Sequence, residues 1–153
     1  MRVALAADHA GYLLKNELRA RLQEQGQEVT DLGTNSATPV DYPDSAEAVA
    51  NAIRGGQAER GIIVCGSGAG VSIAANKFPG IRAAVCHDTY TAHQAVEHDD
   101  MNVLCLGARV IGGALAADIA TTFLGAKYAG EERFQRRLDK VLAIERKFTG
   151  AAK

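Results

Sequence analysis

Apolar residues are spaced in two ways along this chain, and each spacing indicates a different element of secondary structure. Five short apolar or β-branched runs predict β-strands, at residues 3–7, 28–31, 61–65, 82–86 and 103–106. Longer stretches repeat apolar side chains every three or four residues, as Leu14, Leu18 and Leu22 do. This period predicts six helices, at residues 14–22, 46–53, 72–77, 91–97, 115–123 and 134–148.

Strands that alternate with helices usually form right-handed βαβ units and a parallel sheet covered on both faces. We therefore expect an α/β fold of the three-layer αβα, Rossmann-like type, with a five-stranded parallel sheet and a long C-terminal helix. No repeat or linker interrupts the pattern, which predicts a single domain over residues 1–153. In such a sheet the carboxyl ends of all strands lie along one edge, where ligands bind.

Composition narrows the class of protein further. The 153 residues include 17 basic and 18 acidic side chains, a formal net charge of −1. Nucleic-acid and membrane partners both favour a basic excess, so neither is expected. No apolar run approaches the ~20 residues of a membrane span, and the N-terminus turns polar too soon for a secretory signal. Three cysteines without a CxxC pair argue against disulfides and structural zinc, which makes a reducing cytoplasm the expected location.

Reactive side chains directly follow the predicted strands. Asp8 and His9 follow the first strand, Cys65 and the turn Gly66-Ser67-Gly68-Ala69-Gly70 end the third, and Arg109 follows the fifth. Glycines let several N–H groups point at one anion, although the same turn also suits a ligand-free connection from strand to helix. Its spacing matches neither the dinucleotide-binding fingerprint nor a P-loop. Cys65 is either a thiolate base or nucleophile, or a small buried residue.

Two helices carry further candidates. His98 ends the fourth predicted helix, where a histidine is either a helix cap or a catalytic group. Arg133 and Arg137 lie four residues apart on the last helix and therefore share one face. Paired guanidinium groups suit a phosphate, but they also suit a solvated face beside Glu131 and Glu132.

Several segments together resemble the type B ribose-5-phosphate isomerases, which include relatives acting on galactose 6-phosphate, allose 6-phosphate and tetrose phosphates. They are "ADHAGYLLK", "VTDLGT", "DYPD", "IIVCGSGAGVSIAANKFPGIRAAVC", "NVLCLGARVIG" and the late arginine pair, in order from about residue 3 to residue 147. The resemblance implies a metal-free aldose–ketose isomerase without a cofactor, which works through a cis-enediolate. Family members without the cysteine place a glutamate where this chain has Val71, so the chain resembles the cysteine subclass.

The resemblance also implies roles for individual residues. Cys65 would move the proton between C2 and C1, Ser67 would pass a proton between the two sugar oxygens, and His98 with Asp8 would open the furanose ring. The N–H groups of Gly66, Gly68, Ala69 and Gly70 would stabilise the enediolate oxygen, so the turn would hold the reacting end of the sugar. The phosphate would lie at the other end, on His9, Arg109, Arg133 and Arg137. A second subunit would complete the site, which implies a homodimer or a dimer of dimers.

Two positions depart from the family pattern and affect the expected substrate. Asp99 stands where the family usually has asparagine, and we expect it to contact a sugar hydroxyl or to face away from the phosphate. "GEERFQRR" replaces the commoner "GGRH", so that Phe134 takes the place of a histidine. Both departures bear on the choice of sugar phosphate more than on the type of reaction.

Three alternatives stay open on the sequence. The chain could isomerise another sugar phosphate, such as allose 6-phosphate, galactose 6-phosphate or a tetrose 4-phosphate. It could be a non-catalytic sugar-phosphate binding protein, which would need the arginines but not Cys65 together with Ser67. A thiol-redox protein would use Cys65, although no resolving cysteine lies next to it in sequence.

Overall fold

The computed structural model describes residues 1–149 and contains one five-stranded sheet, all of whose strand pairs are parallel. The strand order is β2-β1-β3-β5-β4. The strands are β1 (Arg2–Ala7), β2 (Glu28–Asp31), β3 (Arg60–Cys65), β4 (Ala83–Val85) and β5 (Val103–Gly107). The last residues of the expected domain, 150–153, lie outside the described part of the chain.

Six helices alternate with these strands or follow them. They are α1 (Tyr12–Glu24), α2 (Tyr42–Arg54), α3 (Ala69–Ala75), α4 (Thr89–Asp99), α5 (Gly113–Gly125) and α6 (Glu132–Thr149). Along the part of the chain that the structure describes, none of the helices combines the length and apolarity needed to cross a bilayer.

Neighbouring residues of the strands point to opposite faces of the sheet and build two separate apolar clusters. Ile62 belongs to the cluster that packs under α1, α4 and α5, and Ile63 belongs to the cluster that packs under α2 and α3. A parallel sheet with helices on both faces needs apolar side chains at successive strand positions, which explains the short continuous runs. The three-layer αβα fold expected from the sequence is confirmed.

Most element boundaries lie one to four residues from the predicted ones, as those of β4 and α3 do. The fourth strand is shorter than residues 82–86, because its pairing with β5 covers only Ala83–Val85. Helix α3 begins at Ala69, three residues earlier than predicted, directly from the glycine turn.

Helix α6 leaves part of its apolar stripe uncovered. Phe134 and Leu138 in its first half are buried, as predicted. Val141, Ile144 and Phe148 in its second half are 52%, 61% and 72% exposed. The 3.6-residue period therefore identifies an apolar face correctly, but this chain by itself does not cover all of that face.

One buried ion pair joins α1 to the end of β2. The side chain of Lys15 is fully buried and its Nζ donates to both carboxylate oxygens of Asp31, at 2.6 and 2.5 Å. The N–H of Gly33 donates to Asp31 Oδ1 at 3.0 Å, so the same carboxylate anchors the loop after β2. That loop bonds in turn to Ala7 at the end of β1.

Replacing Asp31 by Asn should lower the free energy of unfolding by about 3 kcal/mol, because Lys15 would keep a buried charge without a counter-ion. Urea unfolding at neutral pH measures this change. Glu17→Gln is the matched control, since it breaks an exposed ion pair with Arg21 on the same helix. The control should change stability by less than about 0.5 kcal/mol.

The effect of Asp31→Asn should also depend on pH. Burial alone would raise the pKa of Asp31, but hydrogen bonds from Lys15 and the Gly33 N–H lower it below the ordinary 3.8. A lowered pKa stabilises the folded state above the unfolded pKa and ceases to do so as the pH falls below it. The stability difference between wild type and variant should therefore shrink below pH 3.8; a difference that persists there would contradict this assignment.

Candidate active site

A cleft of about 380 Å³ opens at the carboxyl ends of β1, β3 and β5. It is lined by residues of four segments: Asp8, Tyr42, Cys65, Gly66, Ser67, Gly70, Arg109 and Val110. We call this the turn cleft. Its position is the sheet edge at which ligands of parallel α/β folds bind.

The sulfur of Cys65 faces a backbone donor. Cys65 is only 4% exposed, and the N–H of Gly68 donates to its Sγ at 3.0 Å. Gly68 has a φ of +82°, a left-handed conformation that glycine adopts without strain. The sulfur therefore lies at the mouth of the cleft, within hydrogen-bond distance of a backbone donor of the turn.

The same turn offers unpaired N–H groups. Among residues 1–149, the N–H groups of Gly66, Ser67 and Gly70 have no protein acceptor, whereas that of Ala69 donates to Ser67 Oγ at 3.3 Å. Ser67 is exposed, and its hydroxyl proton has no acceptor among these residues. Three backbone donors and one hydroxyl are thus available on the turn that follows Cys65, an arrangement that can stabilise a developing oxyanion.

Asp8 and His9 directly follow β1, and Asp8 lines the turn cleft. Asp8 is 8% exposed, and its Oδ1 accepts the N–H groups of Ala10 and Gly11 at 2.9 and 3.1 Å. His9 Nδ1 lies 3.3 Å from the backbone N and O of Val40. The carboxylate of Asp8 is therefore held in one orientation at the cleft wall.

The end of β5 fixes the turn from the other side. The N–H groups of Ala108 and Arg109 donate to the carbonyls of Cys65 and Gly66 at 2.8 and 3.0 Å. Gly107 touches the turn so closely that a Cβ there would lie 2.7 Å from backbone atoms of Ser67. This close contact explains why residue 107 is a glycine. The guanidinium of Arg109 lies next to Gly66.

The remaining predicted residues lie on a second surface, which we call the α4–α6 patch: His98, Asp99, Arg133, Phe134 and Arg137. The imidazole of His98 stacks on the ring of Phe134 with 4.0 Å between centroids and an angle of 17° between planes. The Arg133 guanidinium lies 4.4 Å from the centroid of the same ring, and its Nε donates to Glu131 at 2.9 Å. Asp99 and Arg137 are exposed.

The turn cleft and the α4–α6 patch lie at opposite edges of the sheet in one chain. Helix α4 starts after β4 at the carboxyl edge and ends at Asp99, just before β5 starts at the amino edge. Its 11 residues span about 16 Å. The structure therefore brings Asp8, Cys65 and Arg109 together in the turn cleft but keeps His98 and the two late arginines away from them.

Two cleft residues were not among the sequence candidates. The Tyr42 ring packs over the turn, so that a Cβ on Gly70 would lie 3.0 Å from it, and Val110 is 56% exposed at the rim. The motif "DYPD" contains Tyr42, but its position depends on the packing of α2 against α3. The Phe134 stack was missed as well, because it joins two helices that are distant in sequence.

The other two cysteines have different surroundings from Cys65. Burial, and to a lesser extent the charge of Asp88, raises the pKa of Cys86 to about 11. Burial also raises the pKa of Cys105 far above its ordinary value. Both therefore stay as thiols inside the core. In residues 1–149 no disulfide forms and no three histidine, cysteine or acidic side chains are arranged to hold a metal ion.

Comparison with known proteins identifies the family. A sequence model described as ribose/galactose isomerase matches residues 3–141. The chain belongs to this family. Ribose-5-phosphate isomerase B of Escherichia coli is 48% identical over 146 residues, which cover 95% of this chain and 97% of that protein.

Other members of the ribose/galactose isomerase family differ in their named substrates. D-erythrulose-4-phosphate isomerase of Pectobacterium atrosepticum is 45% identical over 132 residues, which cover 85% of this chain and 86% of that protein. The solved structure of Clostridium thermocellum ribose-5-phosphate isomerase B superposes with a TM-score of 0.94 at 48% identity, covering 97% of this chain and 99% of that chain. Sequence similarity and fold similarity therefore both indicate that this chain has the fold of the sugar-phosphate isomerases.

Proposed function

We propose that this chain interconverts ribose 5-phosphate and ribulose 5-phosphate, with Cys65 as the base. The observation that carries this proposal is the Gly68 N–H at 3.0 Å from Cys65 Sγ, next to the unpaired N–H groups of Gly66 and Gly70. Isomerisation through an enediolate needs a base and an oxyanion site within a few ångströms of each other. A sugar-phosphate binding protein would have no use for that combination.

The reaction requires two proton transfers at carbon. The Cys65 thiolate removes the C2 proton of the open aldehyde, the C–H electron pair forms the C1–C2 double bond, and the carbonyl electrons move to O1. The N–H groups of the turn stabilise that oxygen while Ser67 transfers the O2 proton to O1. The thiol then returns its proton to C1, the C2 carbonyl forms, and ribulose 5-phosphate leaves.

We further propose that a second copy of the chain completes each site. His98, which would open the furanose ring with Asp8, lies about a helix length away from Cys65 in its own chain. Asp99, Arg133 and Arg137 of the α4–α6 patch are exposed, and the apolar side chains Val141, Ile144 and Phe148 are exposed farther along helix α6. A two-fold dimer would bury this surface and place the patch of one subunit over the turn cleft of the other.

The phosphate would bind between the two subunits. His9 and Arg109 would hold it from the turn cleft, and Arg133 and Arg137 from the partner's α4–α6 patch. Both late arginines are exposed, and among the described residues Arg137 has no hydrogen bond or ion pair. Binding the phosphate at a distance from C1 and C2 would align the reacting carbons with Cys65.

A tetrose 4-phosphate is the second candidate substrate. A relative 45% identical to this chain is named for D-erythrulose 4-phosphate. Asp99 in the patch carries a charge that would repel a phosphate, so we place it near a sugar hydroxyl. The two substrates differ in length by one carbon, and the patch residues decide how much space remains between Cys65 and the arginines.

A substrate panel tests the proposal. The purified chain should convert ribose 5-phosphate to ribulose 5-phosphate without added metal, and its kcat/KM for this sugar should exceed those for erythrose 4-phosphate, allose 6-phosphate and galactose 6-phosphate. A coupled or NMR assay measures each rate. Faster turnover of a tetrose or hexose phosphate would reassign the substrate, and binding of all four without turnover would point to a binding protein.

A further inference from the structure

The C-terminal end of α4 has a backbone conformation that needs outside support. Asp100 caps the helix with a φ of 52°, and it is the only non-glycine residue with a positive φ in the described part of the chain. Its N–H donates to Val96 O, and the next N–H, of Met101, reaches back to Ala95 O, both at 3.1 Å. The bond from Asp100 N–H to Val96 O is the one that closes a left-handed helix end, for which glycine is the usual residue.

Arg82 holds that end from the neighbouring segment. Its Nε donates to the carbonyl of Asp100 at 2.6 Å, and its Nη2 donates to the carboxylate of Asp100 at 2.5 Å. One guanidinium thus binds both the backbone and the side chain of the left-handed residue, with the fork geometry that only arginine offers. The Arg82 side chain is 21% exposed and that of Asp100 is 41% exposed, so the pair lies at the surface and its two hydrogen bonds carry the contact more than its charges do.

Further hydrogen bonds connect the end of α4 to the segment before β4, and that segment to α6. Asn102 Oδ1 accepts the N–H of Arg82, and Asn102 Nδ2 donates to Gly80 O, both at 2.8 Å. The N–H of Gly80 donates to Glu145 of α6 at 3.0 Å. The two helices that carry the α4–α6 patch therefore meet the same short segment, 80–82.

We infer that Arg82 and Asp100 form a clamp that positions His98 and Asp99 for the reaction. His98 lies two residues before Asp100, in the last turn of α4, and its imidazole stacks on the ring of Phe134 of α6. Neither clamp residue lines the turn cleft. They are positioning residues, and the inference rests on the proposed role of His98 in opening the sugar ring.

Three variants separate the carboxylate from the backbone conformation. Asp100→Gly tolerates the positive φ but has no group for Arg82 to bind. Arg82→Met keeps the aliphatic stem and loses both hydrogen bonds. Asp100→Asn keeps an acceptor oxygen and a residue type that also tolerates the left-handed conformation. The matched control is Arg21→Met, which breaks an exposed ion pair with Glu17 on α1.

Asp100→Gly and Arg82→Met should each lower kcat for ribose 5-phosphate by about tenfold or more, because small displacements of an acting group reduce turnover steeply. KM should stay within about threefold, since the phosphate ligands do not touch the clamp. Asp100→Asn should restore kcat to within about threefold of wild type, and Arg21→Met should leave it unchanged. The double variant Asp100→Gly/Arg82→Met should be no slower than either single variant, because both remove one interaction.

NMR supplies a readout that does not need turnover. The nuclear Overhauser contact between the His98 and Phe134 rings should disappear in Asp100→Gly and Arg82→Met and persist in Asp100→Asn. If the ring contact and kcat both survive in Asp100→Gly, the clamp inference is wrong. If the contact is lost but kcat is unchanged, the clamp does not serve the reaction and the role of His98 is wrong, while isomerase activity stands.

A wild-type chain without turnover of ribose 5-phosphate would contradict the proposed substrate and not the clamp. The ring contact then decides alone: its loss in Asp100→Gly with retention in Asp100→Asn supports the clamp, and its retention in both overturns it. The variants should remain folded by circular dichroism, which separates a displaced helix end from unfolding.

Discussion

Replacement of Cys65 by Ala should reduce kcat for ribose 5-phosphate by about 10²- to 10⁴-fold, the usual contribution of a positioned general base. No other side chain in the turn cleft can take over: Asp8 is fixed by the N–H groups of Ala10 and Gly11, and Ser67 has no neighbouring base. KM should change little, because the sulfur contacts carbon-bound protons and not the phosphate. Steady-state kinetics with purified variant measures both constants.

Cys86→Ala is the matched control for this prediction. Cys86 is also buried and also lies at the carboxyl end of a strand, but it belongs to the apolar cluster on the other face of the sheet. Its loss should cost about 1 kcal/mol of stability and leave kcat within about twofold of wild type. Should Cys65→Ala retain kcat within tenfold, Cys65 is not the base even though the chain is an isomerase.

Mixing two inactive variants should restore activity if each site is shared. In a mixed dimer of Cys65→Ala and His98→Gln subunits, one site carries both substitutions and the other carries neither. Random assortment from equal amounts makes half of the dimers mixed, so about one quarter of wild-type activity per chain should return. Co-refolding of the two variants, followed by an activity assay, measures this recovery.

The control mixture pairs a Cys65→Ala variant with a Ser67→Ala variant. Both residues line the turn cleft, which a single chain forms. A mixed dimer of these two variants has no intact site, so no recovery is expected. Differently tagged subunits, purified through both tags, establish that mixed dimers form in each case. Mixed dimers of Cys65→Ala and His98→Gln without activity would show that His98 does not act in the partner's cleft.

The strands and the turn could be predicted because each depends on residues that are contiguous in sequence. Buried parallel strands require apolar residues on both faces, so a run such as residues 61–65 is visible without any structure. The turn Gly66–Gly70 lies between a strand and a helix, and its glycines indicate the backbone conformation directly. Because the carboxyl ends of parallel strands share one edge, the sequence also predicted that Asp8 and Arg109 lie near Cys65, and the structure places them there.

Predictions that depend on what packs against an element were less complete. The apolar stripe of α6 was correctly identified, but its period does not reveal that Val141 and Phe148 are uncovered in one chain. Similarly, the position of Tyr42 over Gly70 follows from the contact of α2 with α3, and no local signal encodes it. Both features depend on surfaces far apart in sequence.

The sequence by itself determined the fold class and the place of the glycine turn at the end of β3, and its family resemblance predicted which residues bind a phosphate. Only the tertiary structure decided that Cys65 and His98 lie at opposite edges of the sheet, that His98 stacks on Phe134, and that Arg82 holds Asp100. The physical reason is the range of the interactions. Period and turn chemistry act between residues a few positions apart, whereas the place where α4 ends and what it meets depend on the packing of the whole chain.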